Sequence, residues 1–226
     1  TGINKMNIGY FVEIISNSHI KDIYKKQYLI FILSGLIITT FIIFGFLYIK
    51  ERTYLKIIST TDYLTKLYNR SRFLDFANYE FERGKRYNSS FIILMMDIDF
   101  FKKINDTYGH NIRDNVLKSI SDIISTQVRK TDVVARWGGE EFICLLPNTA
   151  ITEGHIVANR IRNKIEKENF FKVGKVTISI GVTENTRECL SVEEIINNAD
   201  IALYSSKQNG RNRVTIWQEN TIKNMV

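Results

Sequence analysis

The sequence predicts an α+β domain preceded by one membrane-crossing helix, and three observations lead there. Tyr28 to Ile49 is an uncharged, apolar run of 22 residues, and about 20 such residues cross a bilayer as a helix. Beyond residue 70, stretches with helical apolar periodicity alternate with short apolar runs of strand length. Two strand-like runs, Asp132 to Trp137 and Phe142 to Leu146, are separated by little more than Gly138-Gly139, which reads as a hairpin because glycine reaches the positive φ of tight turns.

Taken in order, residues 1–27 are too short for a domain. Ile8 to Ile15 reads as a strand without a partner, and the chain begins with Thr1, so this segment is expected to be the end of an extracytoplasmic sensor domain. Lys25 and Lys26 precede the span, Lys50 and Arg52 follow it, and Tyr28 and Tyr48 stand where interface anchors belong. No small-residue cleavage site follows, which argues against a signal peptide. Lysines on both sides leave the positive-inside asymmetry weak. Residues 50–61, with apolar or aromatic side chains at 54, 55, 57 and 58, continue the helix as a stalk too short to establish a coiled coil.

From residue 62 the reading is a helix near 71–86, a strand at 90–97, a helix at about 112–128, the two hairpin strands, a helix at 152–168, a strand at 174–182, a helix at 192–208 and a last strand near 213–217. Ile112, Val116, Ile120, Ile123 and Ile124 give the second of these helices an apolar face, and Val157, Ile161 and Ile165 do so for the third. Helices and strands in mixed order with a hairpin make the class α+β.

The formal net charge of +7 does not mark a nucleic-acid binder. Residues 1–60 hold seven Lys and Arg against three Asp and Glu, leaving 24 against 21 for the remainder, so over half the excess flanks the apolar helix and no basic stripe remains. Cys144 and Cys189 lack metal-ligand spacing and read as free thiols of a reducing compartment. His19, His110 and His155 are scattered, with His110 shaping a turn after Gly109.

The acids carry the chemistry. Glu140 and Glu141 sit at the tip of the hairpin, and alone they read as a solvated charged turn. A second source changes this. Ser90 to Met96 is a continuous apolar run that ends in Asp97-Ile98-Asp99, the pattern of a strand buried on both faces with acids at its rim. If it pairs beside the hairpin, Asp97, Asp99, Glu140 and Glu141 converge into a two-cation site suited to nucleoside triphosphates.

Here the sequence resembles the GGDEF family of diguanylate cyclases, in a Gly-Gly-Glu-Glu-Phe variant. The hairpin is joined in family order by Asp62 to Arg70 (DYLTKLYNR), Asp97 to Asp106 (DIDFFKKIND), Tyr108 to Asp114 (YGHNIRD), Ser179 to Val182 (SIGV) and Ala199 to Arg211 (ADIALYSSKQNGR). The resemblance covers about residues 60–217, and the domain is taken as 62–220. It implies a palm-like domain with a central, mainly antiparallel sheet flanked by helices, which condenses two GTP into cyclic di-GMP and two pyrophosphates. It further implies two Mg²⁺ (or Mn²⁺) per site, held by Asp97, Glu140 and the Ile98 carbonyl, with Glu141 near the reacting sugar.

Other roles follow from the same resemblance. Asn105 and Asp114 match the guanine-reading pair, Lys207 and Arg211 the cations on the terminal phosphates, and Phe101 and Lys102 the backbone N–H groups of the phosphate loop. Arg129 and Asp132 match an Arg-x-x-Asp product-inhibition site, with Arg160 in rougher alignment to a secondary arginine. Asp62, Asn69 and Arg70 read as structural, fixing and capping the start of the domain. Each domain holds one GTP, so a homodimer is implied, and a cytoplasmic substrate places residues 50–226 inside an inner-membrane protein. Intact Asp97, Glu140, Glu141, Lys207 and Arg211 argue against a degenerate domain that only binds, and Asp114 against a mixed dinucleotide.

Overall fold

The structure, a computed structural model, describes residues 2–58, 60–186 and 189–218, with side chains omitted for 2–19 and 52–58. It divides into two compact units at Ile58 and Ser59. The first is one helix, α1 (Gly2–Ile58). Within it, Ile20–Glu51 is by length and composition able to cross a membrane, and its large apolar side chains are exposed. Its hydroxyls are matched internally: Ser34 and Thr39 donate to the carbonyls of Phe31 and Leu36, and Thr40 to those of Leu36 and Ile37. Such back-bonding leaves no unpaired hydroxyl for an apolar surrounding. The strand expected at Ile8 to Ile15 is overturned, because α1 runs through it. Its isoleucines suit a helix as well as a strand, and with no partner strand a helix is the form that satisfies its own backbone. The apolar stalk positions fall on side chains outside the described residues.

The second unit has the order β1 (Tyr68–Asn69), α2 (Arg70–Tyr87), β2 (Phe91–Ile98), α3 (Phe101–Gln127), β3 (Val133–Arg136), β4 (Glu141–Pro147), α4 (Ile151–Lys167), β5 (Ile178–Glu184), α5 (Val192–Gln208) and β6 (Val214–Ile216). One sheet runs β1-β3-β4-β2-β5-β6. Its inner pairings are antiparallel, while β1 lies parallel to β3 and β6 to β5. The expected mainly antiparallel sheet is what forms.

Three layers follow from strand alternation. Ile92, Leu94, Met96 and Ile98 of β2 face a core completed by α3 and α4, while Phe91, Ile93 and Met95 face one completed by α2 and α5. Every residue of β2 is buried, which is why its sequence is apolar without alternation. Helix α5 lies so close to β5 that a Cβ on Gly181 would stand 2.1 Å from the Ala199 carbonyl oxygen. Asn69 caps α2 by accepting the Arg72 N–H at 3.0 Å.

Three boundaries differ from expectation. α3 begins at Phe101 rather than near 112 and is broken only at Gly109, whose φ of 75° and ψ of 176° kink it. The polar first half hides its helical character, since Phe101 and Ile104 are the only buried residues before the kink. The expected strand at 174–182 starts later, at Ile178, and β1 is too short to carry a pattern. Neither Gly138 nor Gly139 takes a positive φ, so the turn does not need glycine for that reason. A Cβ at Gly138 would stand 2.7 Å from a Glu141 carboxylate oxygen, the end of a flexible side chain that can move aside.

Candidate active site

Strand register assembles the acids. Asp97, near the end of β2, pairs with Glu141 on β4 and Ser179 on β5, and the Ile98 N–H donates to the Glu140 carbonyl at 3.4 Å. Asp97, Glu140 and Glu141 therefore share one end of the sheet. Lys207, in the last turn of α5, places Nζ 2.8 Å from Asp97 Oδ2. Burial pushes Asp97 up to about 6, with the Lys207 hydrogen bond and charge opposing and Glu140 and Glu141 adding to the rise. Burial also raises Glu141; Lys207 and Arg70 oppose this, and Asp200 and Glu140 reinforce it.

Asp99 does not join them. It is buried and accepts from the hydroxyls of Thr177 and Ser179, each at 2.7 Å, and from the Asn212 N–H at 3.0 Å. The convergence of four acids is thus corrected to three, because period-two alternation gives Asp97 and Asp99 the same face of an ideal strand, but β2 ends at Ile98 and Asp99 turns to the lead-in of β5. Among the described residues, no three His, Cys, Asp or Glu side chains stand together as preformed metal ligands. The donor set still suits a hard cation: the buried Asp97 and the half-buried Glu140 and Glu141 offer carboxylate oxygens at one sheet end, with Lys207 as the close cationic partner of Asp97.

The residues expected on phosphates lie around the start of α3. Phe100 precedes it in the left-handed region, and no side chain caps the helix. The N–H groups of Lys103 and Ile104 bond back to the Phe100 carbonyl, leaving those of Phe101 and Lys102 at a helix N-terminus, where anions bind. Lys207 is inside α5 and not after it, whereas Arg211 lies in the following turn with its guanidinium 4.7 Å from the Phe100 ring centroid. Further along α3, Asn105 keeps a buried Oδ1 with no partner. Asp114 receives two donors from Arg113, at 3.0 and 2.7 Å, on one oxygen.

Arg129, Asp132 and Arg160 meet elsewhere. They line one cavity of about 180 Å³ between the loop before β3 and helix α4. Asp132 accepts the Arg129 backbone N–H at 2.7 Å, and among the described residues no ion pair joins their side chains. Burial raises Asp132, opposed by the Arg129 N–H and by the charges of Arg129 and Arg160.

Two features escaped the sequence. Arg136 donates to the carbonyls of Gly138 at 3.1 Å and Gly139 at 2.7 Å, and to both oxygens of Asp62 at 3.2 and 3.3 Å. It ties the hairpin tip to the first turn of the domain. Burial alone would raise Asp62, but hydrogen bonds from Thr65 and then Arg136 outweigh it and hold the acid below its ordinary value. Arg70 stacks 4.2 Å from the Trp137 ring centroid and reaches the field of Glu141, so it borders the site as well as starting α2. A lone arginine flanking two acids was the available signal; its long-range partner was not legible.

Fold and acidic rim together define a nucleotide-cyclase palm-like domain. The chain belongs to the GGDEF family: residues 59–213 match the family described as diguanylate cyclase, GGDEF domain. It is 44% identical over 172 residues to diguanylate cyclase A of Treponema denticola, covering 74% of this chain and 46% of that protein. It is 37% identical over 162 residues to response regulator PleD of Caulobacter vibrioides, covering 70% and 36%. The chain thus spans less than half the length of these curated relatives. Among solved structures, the GGDEF domain of DgcB from Caulobacter crescentus in complex with c-di-GMP superposes with a TM-score of 0.66 at 32% identity, covering 70% of this chain and 92% of that one. The active GGEEF domain of a diguanylate cyclase from Vibrio cholerae gives 0.65 at 32%, covering 67% and 97%.

Proposed function

We propose that this chain is a membrane-anchored diguanylate cyclase that joins two GTP molecules into cyclic di-GMP with release of two pyrophosphates. The observation that carries this is the register of Asp97 against Glu141 with Lys207 closing on Asp97. In each of two steps the 3′-hydroxyl oxygen of one GTP bonds to the α-phosphorus of the other, and the bond to pyrophosphate breaks. Asp97, Glu140 and the Ile98 carbonyl are the groups that would hold two Mg²⁺ or Mn²⁺, which when bound offset triphosphate charge and acidify the attacking hydroxyl. Glu141, raised by burial, is suited to accept the proton that the hydroxyl loses.

Lys207, Arg211 and the Phe101 and Lys102 N–H groups hold the phosphates. The unpartnered Asn105 Oδ1 and the open oxygen of Asp114 accept guanine's N–H donors, which adenine cannot supply at the same edge. One domain holds one GTP, so the active form is a homodimer in which two sites face each other. Residues 28–49, within the apolar stretch Ile20–Glu51, anchor the protein in the inner membrane, with residues 50–226 in the cytoplasm and residues 1–27 on the extracytoplasmic side. Product bound at Arg129, Asp132 and Arg160 inhibits at a distance from the acids.

The test is incubation of the detergent-solubilised full chain with GTP and Mg²⁺, and identification of the product by mass spectrometry. Cyclic di-GMP is expected, with a loss of several orders of magnitude in Glu140→Ala. GTP binding without any product would leave a nucleotide-binding module instead.

A further inference from the structure

Asp99 is the one acid of the Asp97-Ile98-Asp99 run that the proposed chemistry leaves unused, and its surroundings give it another task. Its two oxygens take three donors that are distant in sequence, from Thr177, Ser179 and the backbone of Asn212. The last of these matters most. Asn212 belongs to a turn after α5 in which Gly210, Arg211 and Asn212 all have positive φ, at 108°, 60° and 47°. For the two that are not glycine this conformation is unfavourable and persists only where the surroundings over-determine it.

The surroundings here are identifiable. Asp99 holds the Asn212 N–H, the Asn212 side chain donates to Glu166 at 2.7 Å and accepts from Arg162 at 2.9 Å, and the Arg211 N–H donates to the Ser206 carbonyl at 3.0 Å. The turn so fixed presents the Arg211 guanidinium over the ring of Phe100, the residue that follows Asp99 and is itself left-handed. Two unfavourable backbone conformations on different elements thus meet in one stacked pair, and Asp99 precedes Phe100 in the chain and bonds the amide of Asn212, the residue after Arg211. We infer that Asp99 is a positioning residue for Arg211, holding through the Asn212 amide the turn from which the guanidinium is aimed at the substrate's terminal phosphates. This rests on the reading of Arg211 as a phosphate-holding cation.

A double-mutant cycle separates positioning from plain structural support. The detergent-solubilised full chain is titrated, with Mg²⁺, with GMP and with an α,β-methylene analogue of GTP that cannot be cyclised. Asp99→Ala removes the acceptor of the Asn212 N–H outright, so analogue affinity should fall about tenfold while GMP affinity holds. In the Arg211→Ala background the same change should cost nothing further. Phe100→Leu, on a side chain 63% exposed and so without risk to folding, should repeat the pattern more weakly. Equal losses for GMP and the analogue, or the same analogue loss with and without Arg211, would reduce Asp99 to a packing role and overturn the inference. A wild type that binds the analogue no better than GMP would instead remove the reading of Arg211 on which it rests.

Discussion

Asp97 illustrates how a working residue opposes the stability of its own fold. Burial and the neighbouring Glu140 and Glu141 raise its pKa from 3.8 to about 6 despite Lys207. The folded protein therefore binds a proton more tightly than the unfolded chain, and the cost of the charge is absent below pH 4 and complete above pH 6. In metal-free buffer, stability should fall as pH rises through that window. Asp97→Asn should then melt higher than wild type at pH 8, by a margin on the order of 2 kcal/mol, and lose that margin at pH 4, while showing no cyclase activity. Thermal melts of both proteins in EDTA at the two pH values decide this; a variant less stable than wild type at pH 8 would mean that Lys207 outweighs burial. Arg129 supports a second expectation at this scale. If the cavity shared with Asp132 and Arg160 holds product, added cyclic di-GMP should inhibit wild type without competing with GTP, and Arg129→Ala should escape inhibition with turnover retained. Unchanged inhibition in that variant would make the motif a structural turn.

At the level of elements, the site is built by pairing. β2 brings Asp97 to the same rung as Glu141, α5 brings Lys207 down onto that rung, and Arg136 pins the hairpin tip to Asp62. The placement of Lys207 depends on how closely α5 lies on β5, which Gly181 permits by having no side chain. Gly181→Ala would put a methyl group 2.1 Å from a carbonyl oxygen and 2.3 Å from the Leu203 nitrogen, both backbone atoms that cannot step aside. The expected outcome is destabilisation of about 1–3 kcal/mol or more, as for other overpacked cores, read as a lowered melting temperature together with reduced activity. A melting temperature equal to wild type would show that α5 shifts freely and that the Lys207 to Asp97 distance is not fixed by packing.

For the whole molecule, the proposal joins a candidate membrane span to a GGDEF domain. Ile20–Glu51 exposes a run of large apolar side chains, of the length and composition that cross a bilayer. If the substrate is cytoplasmic GTP, as proposed, residues 59–218 lie on the cytoplasmic side. A reporter active only in the cytoplasm, fused after Val226, should therefore be active, and one active only outside should be silent. The reverse result would overturn the orientation and with it the assignment of GTP.

Much of this was legible along the chain, and the reason differs from residue to residue. The apolar span needs no tertiary partner, since its length and composition are the physical property itself. The apolar run of β2 and the faces of α4 and the second half of α3 follow from periodicity, and most of the candidate site residues stand in local motifs whose spacing is fixed by one turn or one strand. Asp99 could not be separated from Asp97 in this way, because both belong to one motif and only the end of β2 and the donors on β5 and the Asn212 turn divide them. The helical first half of α3 was hidden by its polar surface, and Ile8 to Ile15 has a composition that either regular structure accepts. The roles of Arg136 and Arg70 are likewise set by groups across the hairpin or far along the chain. What the sequence by itself determined was the class of fold, the apolar span and the inventory of acids and cations, all properties of short stretches. Which of those acids share a rung, which one is diverted to hold a turn, and which arginine secures the hairpin were decided by the tertiary structure alone, because hydrogen-bond partners 74 to 113 residues apart leave no mark in local spacing.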